Sequence, residues 1–309
     1  MGLFFTYLGA VNQGLIWGFL ALGVYITFRV LDIADLTVDG SFTTGGAVCA
    51  ISLLNDIHPL IALLFAIIAG FIAGAITGIL HTKCKIPAIL AGILTQIGLY
   101  SINLRIMGGR ANLPLVGSNT LFQDISIALD VNRYYVTLVI ALIFTVIFII
   151  MLYVFFGTEM GSAIRATGNN EQMARSLGIS TDNMKLLGLM ISNGLVGLSG
   201  ALYTLYGQAI DVRAGTGAIV IALASIVIGE VLFSGKRTGF AVRLTSVVIG
   251  SIIYRIIVAV VLQMGLNTDD LKLLTAIIVA IALSVPTLIS NQRQVAMYKK
   301  LTGKEKNDA

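Results

Sequence analysis

Residues 134–156 read YYVTLVIALIFTVIFIIMLYVFF, a run without one charged residue, interrupted only by Thr137, Thr145 and three tyrosines near its ends. As a helix rising about 1.5 Å per residue it would exceed the roughly 30 Å of hydrocarbon in a bilayer. It has no polar face to turn toward water, so it reads as a membrane span and not as the amphipathic helix of a soluble core. Runs of the same kind, bounded by charge, Gly or Pro, fall at 9–28, 40–54, 59–80 and 86–104 before it. After it come 186–206, 216–233, 240–262 and 271–290. At about 20 residues per span this predicts an all-α, polytopic transmembrane bundle of about nine helices, eight to ten, with the second run the shortest. The whole chain agrees: 57% of it is hydrophobic, 11% is charged, and the mean hydropathy is +0.94, far from the roughly quarter-charged mix of soluble domains. One transmembrane unit over 1–309 accounts for all of it, and the first nine residues, free of Lys and Arg, read as the approach to a first span and not as a cleaved signal.

The basic residues orient the bundle, because cytoplasmic loops carry the excess of them. With the N-terminus outside, Arg29, Lys83, Lys85, Arg165, Arg175, Lys185, Lys236, Arg237, Arg243 and the basic tail 291–309 fall inside. Arg105, Arg110, Arg133, Arg213 and Lys272 fall outside, and Arg255 lies alone within a span. An extra re-entrant piece near 29–41 would move the N-terminus inside and leave every later loop in place. The net charge of +5 therefore reports topology, and no nucleic-acid partner is expected. Gly70, Gly74 and Gly78, like Gly14 and Gly18, form small-residue stripes that let helices approach closely. Cys49 and Cys84 match no metal or redox spacing, and His58 and His81 lie on opposite sides. Ser234-Gly235-Lys236-Arg237 resembles the end of a phosphate-binding loop but has Arg where Ser or Thr should hold magnesium. No catalytic constellation appears, so any energy source must sit on a partner.

Two polar stretches are too long for simple turns: 105–133 outside and 157–185 inside. In the inner one, Asn169 with Gln172 three residues on has the spacing of a capping box, and Gly178 supplies a left-handed stop. That predicts a helix of about two turns, with Glu171 and Arg175 as an i, i+4 pair and Met173 and Leu177 as an apolar one. A helix this short needs packing to persist, either on its own neighbours or in a partner's groove. Asp32, Asp35 and Asp39 are spaced to share one helical side at the end of the first span. They read either as a solvated interfacial turn with Arg29 as partner or as an inner gate on the exit path. Across the hairpin around Lys236 and Arg237, Glu230 and Arg243 fall at one depth and are expected to pair.

The run Ala163-Ile164-Arg165-Ala166-Thr167-Gly168-Asn169-Asn170-Glu171-Gln172-Met173-Ala174-Arg175-Ser176-Leu177-Gly178-Ile179 resembles the cytoplasmic loop of the branched-chain amino acid and ribose permease family of ABC importers. Residues 22–29, 36–42 and 224–229 resemble the same family, and Leu36-Thr37-Val38-Asp39-Gly40-Ser41-Phe42 resembles a sub-branch assigned to tryptophan and tyrosine. The resemblance implies a type II ABC importer-like fold in the bacterial cytoplasmic membrane. It implies a coupling helix of Asn169, Glu171, Gln172, Met173, Arg175, Ser176, Leu177 and Gly178 that docks on an ABC ATP-binding subunit. It implies a second permease copy completing the pore, and an extracytoplasmic substrate-binding protein. No cofactor is expected on this chain; ATP and magnesium belong to the partner ATPase. Arg105, Arg110, Arg133 and Arg213 are candidates for docking the binding protein, the alternative being solvated charges or pairs with Asp124, Asp130 and Asp211. The rival from another class is an ion-driven secondary transporter, which intramembrane carboxylates and broken helices would favour.

Overall fold

The computed structural model describes residues 2–115, 121–233, 239–265, 270, 273, 275–281 and 284. Helix α1 (Gly2–Tyr25) loosens into a π-turn at Ile26–Val30, then breaks. Helices α2 (Val38–Leu54), α3 (Pro59–Thr82) and α4 (Ala88–Ile106) follow. Strand β1 (Asn112–Pro114) and the short α5 (Leu121–Leu129) lie in the outer stretch before α6 (Arg133–Gly157). On the side expected to face the cytoplasm are α7 (Glu159–Asn169) and α8 (Glu171–Ser176), after which α9 (Thr181–Gly207) returns to β2 (Ala209–Asp211). Helices α10 (Ala218–Leu232) and α11 (Phe240–Gln263) form the last described hairpin.

Six of these helices are long and apolar enough to span a membrane: Leu3–Val30, α3, α4, α6, α9 and α11. The expected count of about nine is therefore not met among the described residues. The second and seventh apolar runs form α2 and α10, of 17 and 15 residues, shorter than the roughly 20 a crossing needs. The ninth run lies largely outside the described residues, as do the loop 234–238 and the basic tail. The outer stretch 105–133 also holds a strand, which pairs antiparallel with β2 in the register Asn112↔Asp211 and Pro114↔Ala209.

Local chemistry explains the element ends. His58 Nδ1 accepts from Leu60 N at 3.3 Å ahead of Pro59, and Asn132 Oδ1 accepts from Tyr134 N at 3.0 Å; both satisfy first-turn donors. No Gly or Pro stops the first span. Just ahead of α2, Asp35 Oδ1 accepts from Thr37 N at 2.9 Å in an Asx turn, and the first span itself ends in a left-handed stop with Ile33 N donating to Thr27 O at 2.9 Å. Asp32 there takes φ +55°. No further helix intervenes between α1 and α2.

The core centres on α9. Its backbone lies against α3 so closely that a Cβ on Gly70 would fall 2.1 Å from Asn193 O, and one on Gly74 2.3 Å from Leu189 O. On its other side a Cβ on Gly200 would fall 1.9 Å from Phe42 O of α2. These are the close approaches the small-residue stripe in α3 requires. Ile16, Phe19 and Leu20 of α1 and Leu198, Leu202 and Leu205 of α9 fill the space between. In contrast α6 leaves Leu142, Ile143, Val146, Ile147 and Ile150 exposed, a face suited to lipid.

Candidate functional site

The break after α1 is the chemically richest place in the bundle. Asp35 is buried, and its Oδ2 accepts from Asn193 Nδ2 at 2.7 Å while Ser41 Oγ donates to Asn193 Oδ1 at 2.6 Å. Asn193 lies midway along α9, so this network sits in the middle of the bundle. Asp39, at the start of α2, accepts from Gly217 N at 2.8 Å and Ile219 N at 3.0 Å. Its carboxylate thus satisfies the free donors and the positive dipole end at the start of α10. The three aspartates do not share a helical side, since 32–37 is not helical. Each bonds backbone or side-chain groups around it or stays exposed, and Arg29 is not their partner.

Two cavities flank this break. One, of about 310 Å³, is lined by Asp39, Thr43, Gln96, Tyr100, Asn103 and Thr216 among others. Asn103 Oδ1 is buried there without a hydrogen-bond partner. The other, of about 580 Å³, opens at the inner end beside Arg29, Asp32, Arg165, Asn169 and Arg243. Asp39 lines the first and Asp32 the second, so the segment 32–39 runs from one to the other.

At the inner end α7 and α8 form a fixed platform. Thr158 caps α7 by accepting from Gly161 N at 3.3 Å. Gly168 lies against the break itself, where a Cβ would fall 1.9 Å from Val30 O. The cap of α8 is Asn170, whose Oδ1 accepts from Met173 N at 3.0 Å. Asn169 instead ends α7 and lines the inner cavity. The capping spacing S/T/N-x-x therefore starts one residue later than expected, because α7 occupies 169. Helix α8 is 6 residues long, and Gly178 takes φ +82° beyond it. Glu171 accepts from Arg175 Nη2 at 2.9 Å, as expected, and also from Lys185 Nζ at 2.6 Å. Arg175 reaches Asp182 at 3.1 Å and Thr181 Oγ1 at 2.7 Å, and Lys85 reaches Asp182 at 3.1 Å. The Lys185 hydrogen bond holds the Glu171 carboxyl below the usual range against some burial, helped by the charges of Lys185 and Arg175. While Ala174 packs inward, Met173 and Leu177 stand 61% and 69% exposed. The network anchors α8 to α9 and leaves the apolar pair facing outward.

With that geometry in view, comparison with known proteins is decisive. Residues 6–284 match the family described as branched-chain amino acid transport system / permease component. The chain belongs to this permease family. The permease is 43% identical to a protein of Clostridioides difficile named tyrosine transport system permease protein, over 91% of each chain. It is 33% identical to the autoinducer 2 import system permease protein LsrC of Salmonella choleraesuis, over 71% of this chain and 61% of that one. Among solved structures, an inward-facing putative metal-chelate type ABC transporter aligns with TM-score 0.50 at 14% identity, over 89% of this chain and 83% of that one. That likeness concerns the fold alone. The permease is thus a multi-pass membrane protein of an ABC-type family.

Other expected site residues fall differently in the permease. Glu230 does not pair with Arg243; it makes an ion pair with Arg29, because the π-turn carries Arg29 toward the inner end of α10. Arg243 faces Tyr25 and the inner cavity instead. Arg133 is committed structurally: its Nη2 donates to Leu205 O and Tyr206 O, closing the carbonyl end of α9, and its guanidinium lies 5.9 Å from the Tyr206 ring. Arg105, Arg110 and Arg213 are exposed, and no side-chain ion pair joins them to Asp124, Asp130 or Asp211 among the described residues. Residues that sequence reasoning missed are Asn193, Asn103 and Gly217. The polar Asn within the apolar runs at 193 and 103 was the available signal.

Proposed function

We propose that this permease is the membrane-spanning subunit of an ATP-driven importer of an amino acid, aromatic or branched-chain, in the bacterial cytoplasmic membrane. The exposed Met173 and Leu177 pair on an anchored six-residue helix carries the reading. Such a surface suits the groove of an ATP-binding subunit, with Asn169, Glu171, Gln172, Arg175, Ser176 and Gly178 fixing its shape and rim. ATP and magnesium would bind that subunit. A second copy of this chain would complete the pore, and a substrate-binding protein would deliver solute from outside, where Arg105, Arg110 and Arg213 are free to meet its acidic residues.

In this reading the segment carrying Asp32, Asp35 and Asp39 is the inner gate. It stands between the two cavities, and Gly168 of α7 abuts Val30 at its start, so movement of the platform reaches the gate directly. The 310 Å³ cavity has the size of small-ligand sites, and Asp39 and the unpartnered Asn103 amide oxygen suit the ammonium of an amino acid.

Buried Asp35 and half-buried Asp39, beside the break between two helices, also favour the ion-driven alternative. Against it, both carboxylates already accept from fixed donors, Asp35 from Thr37 N and Asn193, Asp39 from two backbone N–H groups. Purifying the tagged permease from its native membrane and reconstituting it with whatever ATPase accompanies it tests the reading. Uptake of tyrosine or leucine that requires ATP and persists without ion gradients is expected. Uptake driven by a proton or sodium gradient with no ATPase present would replace it with the secondary-transporter reading.

A further inference from the structure

The outer half of the bundle holds a charge that none of the machinery above uses. Arg255 lies on α11, eight residues before the helix end at Gln263, or about 12 Å below it. Its guanidinium stacks on the Trp17 ring at 4.1 Å, and Nη1 donates only a long bond of 3.4 Å to Gln13 Oε1. Nε is buried with no hydrogen-bond partner, and no carboxylate pairs with Arg255 among the described residues. A cation this deep is costly without a counter-charge. It borders a crevice of about 550 Å³ between α1, α6, α11 and the end of α9, walled by Phe5, Tyr134, Tyr206 and Leu262 with Gln13 and Gln263.

We propose that this crevice is a binding site for a small amphipathic carboxylate, the carboxylate on Arg255 and the apolar or aromatic body between the rings. The inference rests on the amino-acid reading for the ligand's identity. Guanidinium offers paired N–H donors that match a carboxylate's two oxygens, and Nε is one of the donors left free. Depth separates this ligand from a phospholipid phosphate. Helices α1 and α11 run antiparallel with Tyr7 opposite Gln263 at the outer end, and Arg255 points inward from there to Trp17, not outward to the headgroup level where a long cationic side chain would snorkel.

Trp17 is the sole tryptophan, so its emission reports the site directly. The purified full-length permease, in phosphatidylcholine vesicles that hold no other protein, would be titrated with L-tyrosine, L-leucine, 3-(4-hydroxyphenyl)propionate, which lacks the ammonium, and tyramine, which lacks the carboxylate. Saturable emission changes with the first three and none with tyramine are expected. R255Q should abolish the response, and R255K, which keeps the charge but loses the fork, should weaken binding about tenfold or more. An equal response to tyramine, a response that survives in R255Q, or no response to any probe would overturn the proposal. So would a Trp17 change produced by phosphatidylglycerol that the carboxylates cannot displace, which would assign the site to lipid phosphate. If R255Q does not fold, R255K and the tyramine comparison still decide. The two readings fail separately: a Trp17 response that survives in R255Q sinks this site whatever uptake does, and absence of ATP-driven uptake in the wild type sinks the transport reading while the Trp17 titration still stands.

Discussion

Replacing Leu177 by Asp should separate folding from coupling. The side chain is 69% exposed and Met173 beside it 61%, so little packing inside the permease is lost, and surface changes of this kind alter stability by only about 0.5 kcal/mol. If docking on the ATPase buries Leu177, its transfer from water is worth about 1.5–3 kcal/mol. At about 1.4 kcal/mol per tenfold, deleting it weakens association about ten- to a hundredfold, and the new carboxylate, unpaired in an apolar groove, adds to that. The assay is the amount of ATPase subunit retained on purified permease across a concentration series, with size-exclusion profile and solute uptake measured on the same preparations. Ile127→Asp, on the outer helix α5 and 74% exposed, is the matched control and should retain the full complement. Full retention and normal uptake by Leu177→Asp would refute the reasoning, as would an equal loss in the Ile127 control.

Four further outcomes follow from the same contacts. Gly70→Val places a side chain where even Cβ lies 2.1 Å from Asn193 O, so the α3–α9 seam must open at a cost of about 1–3 kcal/mol or more; an unchanged thermal unfolding midpoint in detergent would contradict the seam. Asp39→Ala removes both acceptors from the start of α10 and should cost about 1–2 kcal/mol, visible as faster amide exchange at 217–220 with the inner platform unaffected. A membrane-impermeant maleimide should label exposed Cys84 from the inner face only and leave buried Cys49 unmodified; labelling of Cys84 from outside would reverse the topology. Glu171 titrates below its ordinary value, so the stabilisation it gives α8 is complete above the usual carboxylate range of about 4 and fades as pH falls through its lowered value. Exchange at 170–182, corrected for intrinsic rates, should therefore rise only on acidification below that range; a rise already near pH 6 would implicate other groups.

Much of the bundle was legible because lipid demands long uninterrupted apolar runs, and each of those at 59–80, 86–104, 134–156, 186–206 and 240–262 became a spanning helix. The same rule misjudged α2 and α10, since hydropathy does not reveal where a helix starts inside the bundle. Asp39 decides that for both helices, being in the first turn of α2 and the acceptor at the start of α10, a contact between residues far apart in the chain. The Glu171–Arg175 pair was readable because i, i+4 geometry is local. The partner of Glu230 was not: equal distance from a turn fixes depth but not azimuth, and Arg29 came from a different hairpin. Asn170 displaced Asn169 as the cap because two adjacent asparagines offer the same chemistry and only the end of α7 chooses between them.

The seam around α9 has a mechanical consequence. Where backbones touch without intervening side chains, as at Gly70, Gly74 and Gly200, the interface has almost no compliance: no rotamer can flip to absorb a displacement, and sliding would drive carbonyl oxygens into one another. Helices α2, α3 and α9 then behave as one stiff strut. On the proposed coupling role of α7, strain entering there would pass the stiff strut and reach the turn at residues 31–37, where side chains and a few hydrogen bonds hold the chain. A transporter built this way has its lever and its hinge separated by material properties as much as by position.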